Sequence, residues 1–182
     1  TQSRSSAASD VYKRQDYTPG ILSLKGRGGR DLESTLAREL ALYVVLYSPI
    51  QMVADLIENL EAHPRELAFI EKVPTDWEQS RTLLGEVGQL AVIARKDRNG
   101  PDWYIGGVTD ETAREAAIDL SFLPRGSRWR AYVWRDGDNA DYRTEARHQI
   151  VIEQKAVAAG DTLNIRMAPG GGFAIRLERL DR

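Results

Sequence analysis

No cysteine occurs among the 182 residues, which excludes disulfides, thiolate metal ligands and a cysteine nucleophile. Histidine is nearly absent too: His63 and His148 are the two present. A Ser/His relay needs a nucleophile, a base and an orienting group. One histidine lies between two helical patterns and the other heads a strand pattern, so that chemistry is disfavoured. The longest apolar run, "LALYVVLY" (Leu40–Tyr47), is far too short to cross a bilayer as a helix. Charge of one sign is lacking as well: 25 Lys+Arg stand against 27 Asp+Glu, a net charge of -2. The charge balance therefore argues against nucleic acid, which demands a basic face, as a partner.

What basic excess there is sits at the start. Residues 1–15 carry Arg4, Lys13 and Arg14 against Asp10, while the remainder is net acidic. A Ser-rich basic arm or a transit peptide would read this way. However, "SSAASDVYKRQ" (residues 5–15) resembles a one-frame translation of a transposon-end adaptor used in preparing DNA for short-read sequencing. Thr1 stands where a start Met would be. Residues 1–15 are therefore expected to be an artefact, and disordered for want of an apolar face.

The rest divides into two unlike textures, one helical and one all-β. Leu36, Leu40, Val44 and Tyr47 fall at helical spacing from about Leu32, and the second half of that helix is apolar on every side. At "YSPIQM" the pattern predicts a second helix, Pro49 to Glu61. Ser48 would be its N-cap, Gln51 would complete a capping box, and Tyr47 and Met52 would form a staple. A shorter helix follows from Pro64 to about Lys72. An apolar helix of this kind cannot satisfy itself, so Leu42, Val45 and Leu46 are expected to lie against missing partners.

From "VPTDW" onward, short alternating runs punctuated by turns predict eight strands. These are Arg81–Glu86, Gln89–Arg95, Trp103–Thr109, Glu115–Asp119, Arg128–Arg135, His148–Ala156, Thr162–Met167 and Gly172–Leu177. Such a series argues for an antiparallel sandwich. Trp129, Ala131 and Val133 would be its inward face, alternating with Arg128, Arg130, Tyr132 and Trp134.

Few residues suggest chemistry. "DGDNAD" (Asp136, Asp138, Asp141) invites calcium but fails the EF-hand spacing, and a solvated hairpin turn is the better reading. The glycines of "APGGGFAIRL" lack the Lys-Ser/Thr pair and following helix of a phosphate loop, leaving backbone freedom where a strand begins. Trp77, Trp103, Trp129 and Trp134 could stack on a sugar, but core packing is the default for aromatics on alternating strands. If "DYTPG" ends a barrel strand, Asp16 and Tyr17, with Thr18, sit where barrel enzymes place their sites. Substrate contact and turn formation are both open to them.

"DYTPG", "LARELALYVVLYSPIQMVAD", "FIEKVPTDWEQSRTLLGEVGQLAVIARK", "WYIGGVTDE" and "APGGGFAIRL" occur in that order. Together they resemble the C-terminal part of glycoside hydrolase family 97, over Asp16–Leu177. The resemblance implies the last portion of a (β/α)₈ barrel over Asp16–Val73. It implies an all-β antiparallel C-terminal sandwich over Pro74–Arg182 that packs the barrel and supports homo-oligomerisation. It further implies a calcium-dependent, exo-acting parent enzyme, periplasmic or extracellular in a bacterium, that cleaves terminal α-glucosides or α-galactosides from an oligosaccharide substrate. Inversion and retention are both known in the family, and two carboxyl groups set the outcome. The family's catalytic carboxylates and calcium ligands lie upstream of "DYTPG", so no catalytic or metal residue carries over. This chain alone is expected to be inactive and to bind no calcium. A carbohydrate-binding or assembly module without catalysis is the alternative, suggested by the sandwich and its four tryptophans.

Overall fold

The computed structural model describes residues 17–180; Asp16, the N-terminal segment 1–15 and the readings placed on them lie outside the described residues. Eight strands form: β1 (Trp77–Glu86), β2 (Leu90–Asp97), β3 (Trp103–Thr109), β4 (Arg114–Asp119), β5 (Arg128–Asp136), β6 (Ile150–Ala158), β7 (Thr162–Met167) and β8 (Gly172–Arg179). They match the eight expected runs with ends moved by up to four residues. Strand β2 begins one residue later than expected and β6 two, the latter because His148 closes a short turn instead of opening a strand. All named pairings are antiparallel, giving a six-stranded sheet in the order β1-β2-β3-β8-β5-β6 and a two-stranded sheet of β4 and β7.

Strand alternation builds the first core. Trp129, Ala131 and Val133 of β5, Trp103 and Ile105 of β3, and Phe173, Ile175 and Leu177 of β8 point to one side. There they meet Ala116, Ile118, Leu163, Ile165 and Met167 of the small sheet. The other face of the large sheet is also buried, which a half-solvated sandwich would not require. Tyr104, Trp134 and Ala174 lie under helix α1 (Leu36–Val45), the short α3 (Pro64–Ile70) and the loop carrying Leu22 and Leu24. A five-residue helix, α2 (Ile57–Glu61), precedes α3. The molecule is thus three layers: small sheet, large sheet, helices.

Two expectations change. Helix α1 is buried mainly by the sheet of its own chain: Leu36, Leu40, Tyr43 and Val44 are at 2% exposure or less. Leu40 and Val44, fully buried, each contribute about 1.5–3 kcal/mol. Leu42 and Val45 are half-buried and Leu46 is exposed, so unpartnered surface begins only at the end of the helix. Of the predicted helix Pro49–Glu61 only Ile57–Glu61 forms, as α2. Residues 50–54 are extended beside Tyr17–Pro19 in parallel: Tyr17 N–H donates to Ile50 O (3.1 Å), Met52 N–H to Tyr17 O (3.0 Å) and Ala54 N–H to Pro19 O (3.1 Å). Ser48 folds back on Ile50 instead of capping a helix, accepting from its N–H and donating to its carbonyl. Its partner strand lies more than thirty residues upstream, out of reach of any local pattern.

Candidate functional site

Helix α1 links the parallel pair to the sandwich, and four of the buried polar side chains among the described residues, Thr35, Glu39, Arg95 and Asp136, lie on it or against its ends. Thr35 is the N-cap: its hydroxyl oxygen accepts from Arg38 N–H at 3.3 Å. The same hydroxyl donates to Asp136 Oδ1 at 2.6 Å, 101 residues away. Asp136 is 1% exposed and accepts twice more at Oδ2, from Ala168 N–H and Gly172 N–H, each at 2.8 Å. A single carboxylate therefore holds the helix start and both ends of the "APGGG" loop. Burial pushes its pKa up, although the three donors favour the charged form. Arg38 adds a bond to Gly170 O at 3.3 Å.

The glycines of this loop have steric duties. A Cβ on Gly171 would lie 1.9 Å from Asp136 Oδ2, and one on Gly172 would lie 2.4 Å from Gly107 O. Gly170 occupies positive φ (62°). Across the sheet, a Cβ on Gly106 would meet Ala41 O at 2.6 Å, so the helix rests directly on bare backbone.

At its other end α1 is closed by Arg95. Its Nε donates to Val44 O (2.6 Å) and its Nη2 to Val45 O (3.2 Å), covering carbonyls that the helix leaves open. Burial holds its pKa below the ordinary arginine value. A second buried acid, Glu39, accepts from Ser34 Oγ at 2.7 Å and from backbone N–H groups of Gly20 and Ile21. It secures the turn after the first parallel strand, and burial raises its pKa. Tyr43 donates its hydroxyl toward Pro19 O (3.2 Å), and Gln51 Nε2 donates to Tyr43 O (3.0 Å).

Of the two residues singled out for substrate contact, Asp16 lies outside the described residues. Tyr17 is half-buried on the parallel strand, with its phenol pKa raised by burial and by the Glu39 carboxylate. The histidines are not brought into a catalytic relay: His63 Nδ1 sits 2.8 Å from Asn59 O, and His148 is half-buried with its pKa lowered by that burial. "DGDNAD" is only partly a solvated turn. Asp136 leaves it for the core, while Asp138 pairs with Arg135 and Asp141 with Arg143, which draws the Asp141 carboxyl down to about 2. Among the described residues no group of three or more His, Asp or Glu could hold a metal ion. The four tryptophans are all buried, at 6% exposure or less, so none offers a face for a sugar. A groove of about 790 Å³ opens between the β1–β2 hairpin, Arg38 and Tyr142. Four acids line it, Glu33, Glu86, Asp110 and Glu111; Asp110 is bound by Arg114 and held down at about 2, ill-suited to proton transfer.

Thr35, Glu39 and Arg95 are not singled out by the sequence reading, and Asp136 enters it only as part of a solvated turn. One signal was present: two adjacent glycines within the strand "WYIGGVT", which mark close approach of another backbone.

Fold and site together define a β-sandwich domain with a helical layer fastened through buried carboxylates, a scaffold without a catalytic constellation among its described residues. The chain belongs to the glycosyl-hydrolase 97 C-terminal, oligomerisation family, whose model matches residues 76–178. It is 36% identical over 170 residues to the retaining alpha-galactosidase of Bacteroides thetaiotaomicron, covering 90% of this chain and 25% of that protein. It is 33% identical over 165 residues to a probable retaining alpha-galactosidase of Streptomyces bingchenggensis, covering 91% and 24%. Among solved structures it is similar to a glycoside hydrolase family 97 enzyme from Pseudoalteromonas sp. strain K8, seen in complex with acarbose. There the TM-score is 0.86 at 46% identity, covering 91% of this chain and 26% of that one. A beta-arabinopyranosidase shares the fold at a TM-score of 0.64 and 22% identity. The chain thus spans about a quarter of the length of the relatives it matches.

Proposed function

We propose that this chain is the C-terminal part of a longer, exo-acting α-glycosidase, in which it completes a (β/α)₈ barrel and carries the oligomerisation domain. The observation that supports this best is the parallel pair of Tyr17 and Gln51, joined through α1 to the sandwich. Two parallel strands connected by a helix are the repeating unit of such a barrel. The side chains that follow α1 remain open: Tyr47 and Ile50 are each 56% exposed, Leu56 69% and Ile57 70%. Barrel strands and helices supplied by an upstream segment would cover them. On this reading the domain boundary falls near Val73–Pro74. Asp16 and Tyr17 are then the residues of this chain nearest a substrate.

The parent would hydrolyse a terminal α-linked sugar through two carboxyl groups carried upstream, with the spacing between them fixing inversion or retention. Two relatives at 36% and 33% identity are described as retaining alpha-galactosidases. The more similar Pseudoalteromonas enzyme was also solved with panose, so glucosides and galactosides both belong in the assay. Calcium, if the parent uses it, would be held by upstream residues, since the described residues offer no fitting cluster. No step is assigned to it. A bacterial periplasmic or extracellular location accords with the family resemblance.

The test is a graft. The last quarter of the Bacteroides enzyme is replaced by residues 16–182 of this chain, and the chimaera is assayed on aryl α-galactosides and α-glucosides beside the 182-residue chain alone. The chain alone is expected to be inactive and the chimaera to retain the host's activity. Hydrolysis by the chain alone, or a chimaera that folds but is inactive on both substrates, would overturn the proposal.

A further inference from the structure

We propose that β6 is the seam along which two copies of this chain join, antiparallel about a two-fold axis at Gln154. The inference rests on the oligomerisation reading and gives it a place and a register.

The large sheet has two open edges, β1 and β6. Open edges invite pairing, and proteins that stay apart blunt them with bulges or proline. Strand β1 is blunted: its register against β2 shifts between Trp77 and Gln79 and again between Thr82 and Leu84. Strand β6 is not. Nine consecutive residues, Ile150 to Ala158, pair with β5 without a shift, and none is proline. Gln154, Lys155 and Ala156 at its centre are exposed.

Backbone polarity fixes which residues can pair outward. Arg128 O accepts from Leu180 N–H, on the β8 side of β5. Even-numbered residues of β5 therefore turn their backbone groups away from β6, and their even-numbered partners on β6 turn theirs toward the open side. Ala158 agrees, donating its N–H to Asp161 Oδ2. Ile152, Gln154 and Ala156 thus offer their backbone groups to a second chain.

Charge then selects the register. With the two-fold at Gln154, Gln154 faces itself as a hydrogen-bonded pair. Ile152 faces Ala156 of the second copy and Val151 faces Val157. Glu153 faces Lys155 of the second copy, twice over. These two fall at non-hydrogen-bonded positions, where opposite side chains approach most closely. An axis at Glu153 would set Glu153 against itself, and an axis at Lys155 would oppose two lysines. Within one copy Lys155 Nζ already lies 3.2 Å from Glu153 Oε1, so the two charges share one face of the strand.

The test uses the 182-residue chain in sedimentation velocity. The wild type is expected to dimerise, and E153K or K155E to weaken the dimer roughly tenfold or more, because like charges then oppose at two places. The double swap E153K/K155E is expected to restore it. Q154C supplies an independent readout in a chain with no other cysteine. The Cα separation of a hydrogen-bonded antiparallel pair, about 5.5 Å, suits a disulfide, so oxidation should crosslink two copies, while Q79C on β1 should not. A dimer that ignores the charge reversals, or that Q154C fails to crosslink, overturns the seam and leaves oligomerisation standing. A chain that is monomeric at every concentration overturns both.

Discussion

Replacing Asp136 by alanine should loosen the whole helical layer, and by an amount that the geometry bounds. The carboxylate is 1% exposed and accepts from Thr35 Oγ1, Ala168 N–H and Gly172 N–H. D136A leaves two backbone donors buried without an acceptor and frees the N-cap hydroxyl. Each orphaned donor costs about 1–3 kcal/mol, partly offset because a buried charge is also removed, so the net loss should be roughly 3–5 kcal/mol. For a domain of this size that lowers Tm by about 6–20 °C in calorimetry or near-UV circular dichroism. D136N is the informative control. Its carbonyl can accept both backbone N–H groups while its amide donates to Thr35 Oγ1, so it should cost about 1 kcal/mol or less. If D136A melts within about 2 °C of wild type, the carboxylate does not fasten the helix to the sandwich and the reasoning fails. Equal damage from D136N and D136A would show that charge, not hydrogen-bond satisfaction, is what matters there.

Three further outcomes are expected. Gly106→Val puts a Cβ 2.6 Å from Ala41 O and must lift α1; urea unfolding should register a loss of about 2–4 kcal/mol, and an unchanged midpoint would refute direct helix-on-backbone packing. Glu39 has its folded pKa raised by burial above the ordinary 4.5. Its contribution is therefore most favourable below that value and is lost as pH rises through the folded pKa. E39Q, compared with wild type by denaturant titration across that window, should gain relative stability as pH rises, and a constant difference would contradict it. Tryptophan emission should not respond to millimolar maltooligosaccharide, since all four indoles are buried; a saturable shift would favour the carbohydrate-binding alternative.

The strands were legible because each carries its own period and its own turn. Trp129-Ala131-Val133 alternation is visible without knowing any partner, and the turn residues "PRGS" (Pro124–Ser127) or "AGD" (Ala159–Asp161) end a run wherever the sheet lies. Partner choice was not legible. Nothing local says that β8 enters between β3 and β5, or that Trp134, read as outward, is covered by α3 and donates its Nε1–H to Arg65 O at 3.1 Å. The stretch from Ser48 to Leu56 misled because Ser-Pro-x-Gln satisfies a helix start while a strand far upstream supplies better bonds. Asp136 was hidden in plain composition: a turn-forming DGDN reads as solvated, and only the fold shows that its first residue faces Thr35 and the glycine loop.

Whether this chain is the C-terminal part of a longer α-glycosidase is decided by reading the source genomic DNA upstream of the Asp16 codon. An open frame is expected there, continuing into the earlier strands and helices of a barrel, with two carboxylates placed for glycoside cleavage. A native start codon directly before "SSAASDVYKRQ" would contradict it.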